Sequence, residues 1–126
     1  PQPRPQVTNR DDEKKLGILH QVTHIYFDNG SSKISTQQAQ KINILVKAYK
    51  LNPDIKHIVI EGYASKTGTP ERNQILSEQR ADQVKSFIIS QGIPDSKLSL
   101  AAYGDAALKQ YPTEAENRRV EFRIYK

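Results

Sequence analysis

Between residues 57 and 90 a short apolar run, Ile58-Val59-Ile60, closes at Gly62 and gives way, across a polar loop, to a long helical pattern. Consecutive β-branched residues suit a central strand covered on at least one face. The helical pattern opens at Pro70 or Glu71, since proline is tolerated in a first helical turn, and runs to Ser90 with Gly92 closing it. Leu76, Val84, Phe87 and Ile88 recur at helical spacing, and Arg80 falls inside that stripe, four residues from both Leu76 and Val84. A strand that needs cover, joined to a helix with one apolar stripe, restricts the chain to architectures that lay helices on a sheet.

The remaining segments fit that restriction. Residues 22–27 (VTHIYF) are β-branched and aromatic and stop at the turn-forming residues 28–32, which reads as a first strand. Ser35, with Gln38 three residues on, caps a helix whose apolar face is Ile42, Leu45, Val46 and Tyr49 and which ends at Asn52-Pro53. Residues 98–104 form a third strand, and residues 105–116 a polar loop with room for a helical turn. In residues 119–125 Val120, Phe122 and Ile124 point one way and Arg119, Glu121 and Arg123 the other, the mark of a half-buried strand. The fold class is therefore α/β: a two-layer βαβαββ sandwich, a mixed sheet with helices on one face and its last two strands paired antiparallel. Residues 1–20 read as a proline-rich linker with a short helix over 11–20, and residues 21–126 as the folded domain.

With 126 residues and 36% hydrophobic content there is room for one core. No apolar run approaches the roughly 18 residues of a membrane span. The chain starts at Pro1 and contains no Met, as expected of a processed form or a piece lacking its natural N-terminus. Without Cys there are no disulfides, thiolate-bound metals or thiol nucleophiles. His20, His24 and His57 are scattered through the chain and match no metal-binding motif, so no metal site is expected. Neither a G-x-S-x-G elbow nor a phosphate-binding loop is present, and no enzymatic activity or cofactor is expected. The net charge of +5 favours an anionic partner: nucleic acid, a lipid surface or an anionic wall polymer. Lys66, Arg72, Arg80, Arg118, Arg119 and Arg123 form no dense basic stripe and match no nucleic-acid motif, so nucleic acid is not the expected partner.

Arg80 admits two readings. It can be paired internally, with Asp28 or another loop carboxylate, and pin its helix to the sheet. It can equally hold a ligand carboxylate through a two-pronged charge-assisted bond. Asn73, seven residues earlier on the same side of the helix, would border the same groove, with Gly62, Tyr63, Ala64 and Ser65 as its floor.

Gly62-Tyr63, Gly68, Asn73, Leu76-Ser77 and Arg80-Ala81 together resemble the signature GY, then G-x-x-x-x-N-x-x-LS-x-x-RA, of the OmpA-like domain, found also in Pal lipoproteins and flagellar-motor stators. Three further pieces agree in order: Tyr26-Phe27-Asp28 with Ser31-Ser32, Gly92-Ile93-Pro94 with residues 98–104, and Asn117-Arg118-Arg119-Val120-Glu121. The resemblance covers residues 22–126. It implies non-catalytic binding of peptidoglycan in the periplasm of a Gram-negative envelope, with the protein held at the outer membrane through an N-terminal anchor absent from this sequence. In such domains an Arg in the helix takes the carboxylate of the stem peptide's diaminopimelate, and an Asp at the strand end takes its ammonium. Here the Arg is Arg80, but the strand-end pair is Ala64-Ser65.

A carboxylate on an ammonium contributes about 1.5–3 kcal/mol against about 0.5–1.5 kcal/mol for a neutral hydroxyl. Binding should then weaken about tenfold, unless Asp28 reaches the groove. The resemblance thus implies a site of Arg80 and Asn73, with Asp28, Asn29, Ser65, Ala64, Asn117 and Arg118 contributing. The alternative is a structural subunit of an envelope secretion or motor complex, bound to other envelope proteins, in which the fold persists while wall binding has weakened.

Overall fold

The computed structural model describes residues 24–105 and 114–126. Four short segments become strands: β1 (His24–Tyr26), β2 (His57–Gly62), β3 (Leu98–Ala102) and β4 (Arg119–Tyr125). Two long helices, α1 (Thr36–Leu51) and α2 (Pro70–Ser90), lie between the first three, with a 3-10 turn at Asp95–Lys97 and a single helical turn, α3 (Glu114–Asn117), before β4. The linker and short helix expected over residues 1–20, the first two residues of the expected first strand, and positions 106–113 of the expected loop lie outside the described residues.

Helix boundaries follow local chemistry. The Ser35 hydroxyl accepts from the Gln38 N–H at 3.3 Å, and the Thr69 hydroxyl from the Arg72 N–H at 3.2 Å with Pro70 directly behind it. Each satisfies an amide that the first helical turn leaves without a partner. Beyond Ser90 the chain leaves the helix through Gln91 to Gly92, whose φ of +107° suits glycine.

The mixed sheet with helices over it is as expected, but its strand order, β1-β4-β2-β3, corrects one pairing. The last two strands are not neighbours. β3 runs parallel to β2, from Ile58↔Leu98 to Gly62↔Ala102, while β4 lies antiparallel to both β2 and β1. The physical reason is the crossover: α2 carries the chain over the sheet and returns it parallel beside β2, where β3 forms an edge. β4 then fills the slot on the other side of β2, so the continuous apolar run Ile58-Val59-Ile60 is paired along both edges. β3 also ends at Ala102 rather than at Gly104.

The core lies between this sheet and the two helices. It is built from Ile25, Phe27, Ile42, Leu45, Val46, Ile58, Ile60, Val84, Ile88, Val120, Phe122 and Ile124. The alternating side chains of β4 divide as expected, except that Arg119, on the opposite face, is itself buried. α2 is rotated from the expected stripe: Asn73, Ser77, Arg80, Ala81, Val84 and Ile88 are buried, whereas Leu76 and Phe87 are only half-buried. Gly62 explains the rotation. A Cβ there would stand 2.1 Å from the Ser77 carbonyl oxygen and 3.2 Å from the Ala81 Cβ, so the helix rests on the bare strand end through its small residues.

Candidate functional site

Three segments converge where β2 ends: the turn after β1, the loop from Tyr63 to Thr69, and the first half of α2. The loop leaves the sheet under control, with the Tyr63 N–H donating to the Arg119 carbonyl and the Ala64 N–H to the Gly104 carbonyl, both at 2.8 Å. Between the segments lies a cleft of about 490 Å³. Asn29 and Gly30 form one wall, Ala64, Ser65, Thr67 and Gly68 another, and Arg72, Asn73, Ile75, Leu76, Gln79 and Arg80 the helical side.

Arg80 is completely buried at the base of this cleft. Its Nε donates to the Ser31 carbonyl at 2.9 Å, Nη1 to the Tyr63 carbonyl at 3.2 Å and Nη2 to the Asp28 carbonyl at 3.1 Å. Its Cζ lies 5.3 Å from the centre of the Phe27 ring. Three of the five guanidinium N–H groups are thereby engaged and two remain. Among the described residues no carboxylate bonds it. Burial, with a smaller contribution from the positive charge of Arg118, lowers its pKa to about 10, which leaves it protonated at neutral pH. Arg80 is therefore pinned internally, as one reading had it, but by carbonyl dipoles and not by the Asp28 carboxylate. Its net charge remains unanswered among the described residues.

Asn73 is ordered by two acceptors. Its Nδ2 donates to the Gly68 carbonyl at 3.3 Å and to Asp105 Oδ2 at 2.9 Å. Neither partner can donate, so the amide orientation is set by chemistry. A Cβ on Gly68 would come within 2.8 Å of Asn73 Oδ1, so Gly68 is what lets the loop close over this side chain. The Ser65 and Thr67 hydroxyls lie 3.0 Å apart on the facing wall.

Of the residues singled out in the sequence, Arg80, Asn73, Asn29, Ala64 and Ser65 come together in the cleft. Asp28 does not, because its side chain is exposed away from the lining and only its carbonyl serves, as an acceptor for Arg80. Arg118 stands behind the site, its Nε donating to the Phe27 carbonyl at 2.9 Å. Asn117 is buried at the end of α3, outside the lining. Gly62 and Tyr63 are not its floor: the first is covered by Ser77, and the second turns its carbonyl to Arg80. Sequence reasoning missed Arg72, Gln79 and Thr67 as lining residues, and took Leu76 for core. Arg72, Leu76, Gln79 and Arg80 stand at i, i+4, i+7 and i+8, one helical face, and that spacing was the available signal.

The OmpA family model matches residues 26–121 of this chain. The peptidoglycan-associated lipoprotein of Pseudomonas putida is 32% identical over 109 residues, covering 83% of this chain and 64% of that protein. Outer membrane protein A of Serratia marcescens is 34% identical over 80 residues, covering 64% of this chain and 22% of that protein. The chain thus spans less than two thirds of either relative. Among solved structures, the peptidoglycan-associated lipoprotein of Burkholderia pseudomallei superposes with a TM-score of 0.71 at 26% identity, covering 81% of this chain and 89% of that one. The C-terminal domain of Helicobacter pylori MotB shares the fold, with a TM-score of 0.73 at 23% identity over 82% of this chain and 84% of that one.

Proposed function

The chain belongs to the OmpA family, and on that premise we propose that it is a non-catalytic domain that binds peptidoglycan through the diaminopimelate of the stem peptide. The observation that carries this reading is the uncompensated Arg80. A buried guanidinium ringed by carbonyl oxygens is oriented but not neutralised, and burying a charge without a counter-ion is costly. A carboxylate entering the cleft would meet its two remaining N–H groups and supply the missing charge. The relatives named peptidoglycan-associated lipoproteins support wall peptide as the source of that carboxylate, and the net charge of +5 favours approach to an anionic polymer. In this reading the protein works in the periplasm at the outer membrane, with residues 1–20 as the tether between the domain and an anchor.

A second reading keeps the fold and discards the ligand: a structural subunit of an envelope assembly. The three carbonyl bonds favour it, because they hold Arg80 in place with nothing in the cleft. Retention on purified sacculi separates the two. Wild type should sediment with diaminopimelate-containing sacculi and Arg80→Ala should not, while sacculi with lysine at that stem position, which lack the side-chain carboxylate, should retain little of either. Failure of both proteins to sediment would support the second reading, and equal retention of both would count against the cleft as the binding site.

A further inference from the structure

The cleft also has a chemistry for whatever stands beside the ligand carboxylate. Among the described residues no Asp or Glu lines it, and its charged side chains are Arg72 and Arg80. The acceptors it offers are neutral. Asn73 donates both Nδ2 protons, to Gly68 and Asp105, while its Oδ1 accepts nothing among the described residues, and the Ser65 and Thr67 hydroxyls, bonded to each other, belong to the facing wall. Two acids near the walls are engaged elsewhere: Asp105 on Asn73, and Glu114, whose Oε2 accepts from the Lys66 backbone N–H at 3.1 Å outside the lining.

An ammonium held in this cleft would face two guanidinium charges with no carboxylate among the described lining residues to offset them, Asp105 being bonded to Asn73 from outside the lining, and would surrender part of its hydration. An amide N–H has no net charge and is satisfied by one neutral acceptor. Resting on the reading of the cleft as a carboxylate site, we propose that it selects an N-acylated amino-acid end, a carboxylate beside an amide N–H, over the free zwitterion. The carboxylate takes the two open N–H groups of Arg80 and the amide N–H donates to Asn73 Oδ1. In a wall peptide this is the chemistry of a diaminopimelate centre whose amine has been consumed in a cross-link. The domain would then settle on cross-linked wall in preference to uncross-linked stems.

The test is an NMR titration of the whole chain with meso-diaminopimelate and with its N,N′-diacetyl derivative, in wild type, Ser65→Asp, Glu114→Gln and Arg80→Ala. The diacetyl compound should bind wild type at least threefold more tightly. Ser65→Asp should reverse that order, and Thr67→Asp, at an exposed position on the same wall, should do so if the buried Ser65 substitution unfolds the domain. Glu114→Gln should leave both affinities unchanged. Equal or tighter binding of the free zwitterion to wild type overturns the proposal, and so does its loss in Glu114→Gln, which would show that Glu114 supplies an acid. Arg80-dependent binding with the zwitterion preferred removes the charge selection and leaves the carboxylate site standing. Binding of neither compound, or binding that survives Arg80→Ala, removes both.

Discussion

Arg80 and Arg119 are both fully buried and both meet at Tyr63, yet their charges are answered in opposite ways. Arg119 closes a circuit within the protein: its Nε donates to Glu121 Oε2, its guanidinium lies 4.1 Å over the Tyr63 ring, and His24 approaches the same carboxylate at 3.4 Å. Burial pushes the Glu121 carboxyl up, but hydrogen bonds from His24 and Arg119, together with their charges, outweigh it and hold the pKa down at about 2. Arg80 donates to the Tyr63 carbonyl and to two others, and has no carboxylate among the described residues. One arginine is paired with a carboxylate of the protein itself, which serves architecture. The other is a cation preorganised by dipoles beneath an open cleft, an arrangement suited to the carboxylate ligand proposed for it.

Deleting each arginine should separate stability from binding, and the larger stability loss belongs to Arg119. Arg119→Ala empties a fully buried position and takes one of two cationic partners from the half-buried Glu121, and should cost about 3–5 kcal/mol in urea denaturation, while sacculus retention under native conditions survives. Arg80→Ala leaves three carbonyls short of a donor but removes an uncompensated charge. It should cost about 1–3 kcal/mol and abolish any rise in melting temperature produced by stem peptide. If Arg80→Ala proves as damaging as Arg119→Ala and the peptide still stabilises it, the contrast collapses.

Acid titration sharpens the same contrast. A carboxyl with a depressed folded-state pKa contributes stability that is present above its unfolded value of 4.5 and is lost as pH falls toward about 2. The unfolding free energy from urea denaturation should therefore fall across that window by an amount on the order of 1–3 kcal/mol. Glu121→Gln should flatten this limb, whereas no substitution in the cleft should. The smallest effect is expected at Arg72, an exposed cation on the cleft rim. Arg72→Ala should weaken stem-peptide binding by about twofold to fivefold and reduce its salt sensitivity, since exposed charges are strongly screened. An effect as large as that of Arg80→Ala would move the main anion contact from the base of the cleft to its rim.

Much of this protein was legible locally. The alternation Val120, Phe122, Ile124 placed one strand and its buried face, Ser35 and Gln38 placed a helix start, and the spaced motif from Gly62 to Ala81 supplied four of the eight expected site residues to one cleft, with Asn29 joining from the turn after β1. These are relations among residues a few positions apart, and the backbone periods of 2.0 and 3.6 convert them directly into faces. What escaped was set by distant segments. The slot between β1 and β2 is taken by the last strand, and α2 turned to lay Ser77 and Ala81 on Gly62. The carbonyls of Ser31 and Asp28 reach Arg80 from 49 and 52 positions away. The sequence by itself determined that an arginine would stand on a buried helical face. Only the tertiary structure decided that it would be oriented without being neutralised by any described residue, because a buried charge is answered by whatever the fold brings within about 3 Å of it, and no local pattern encodes that.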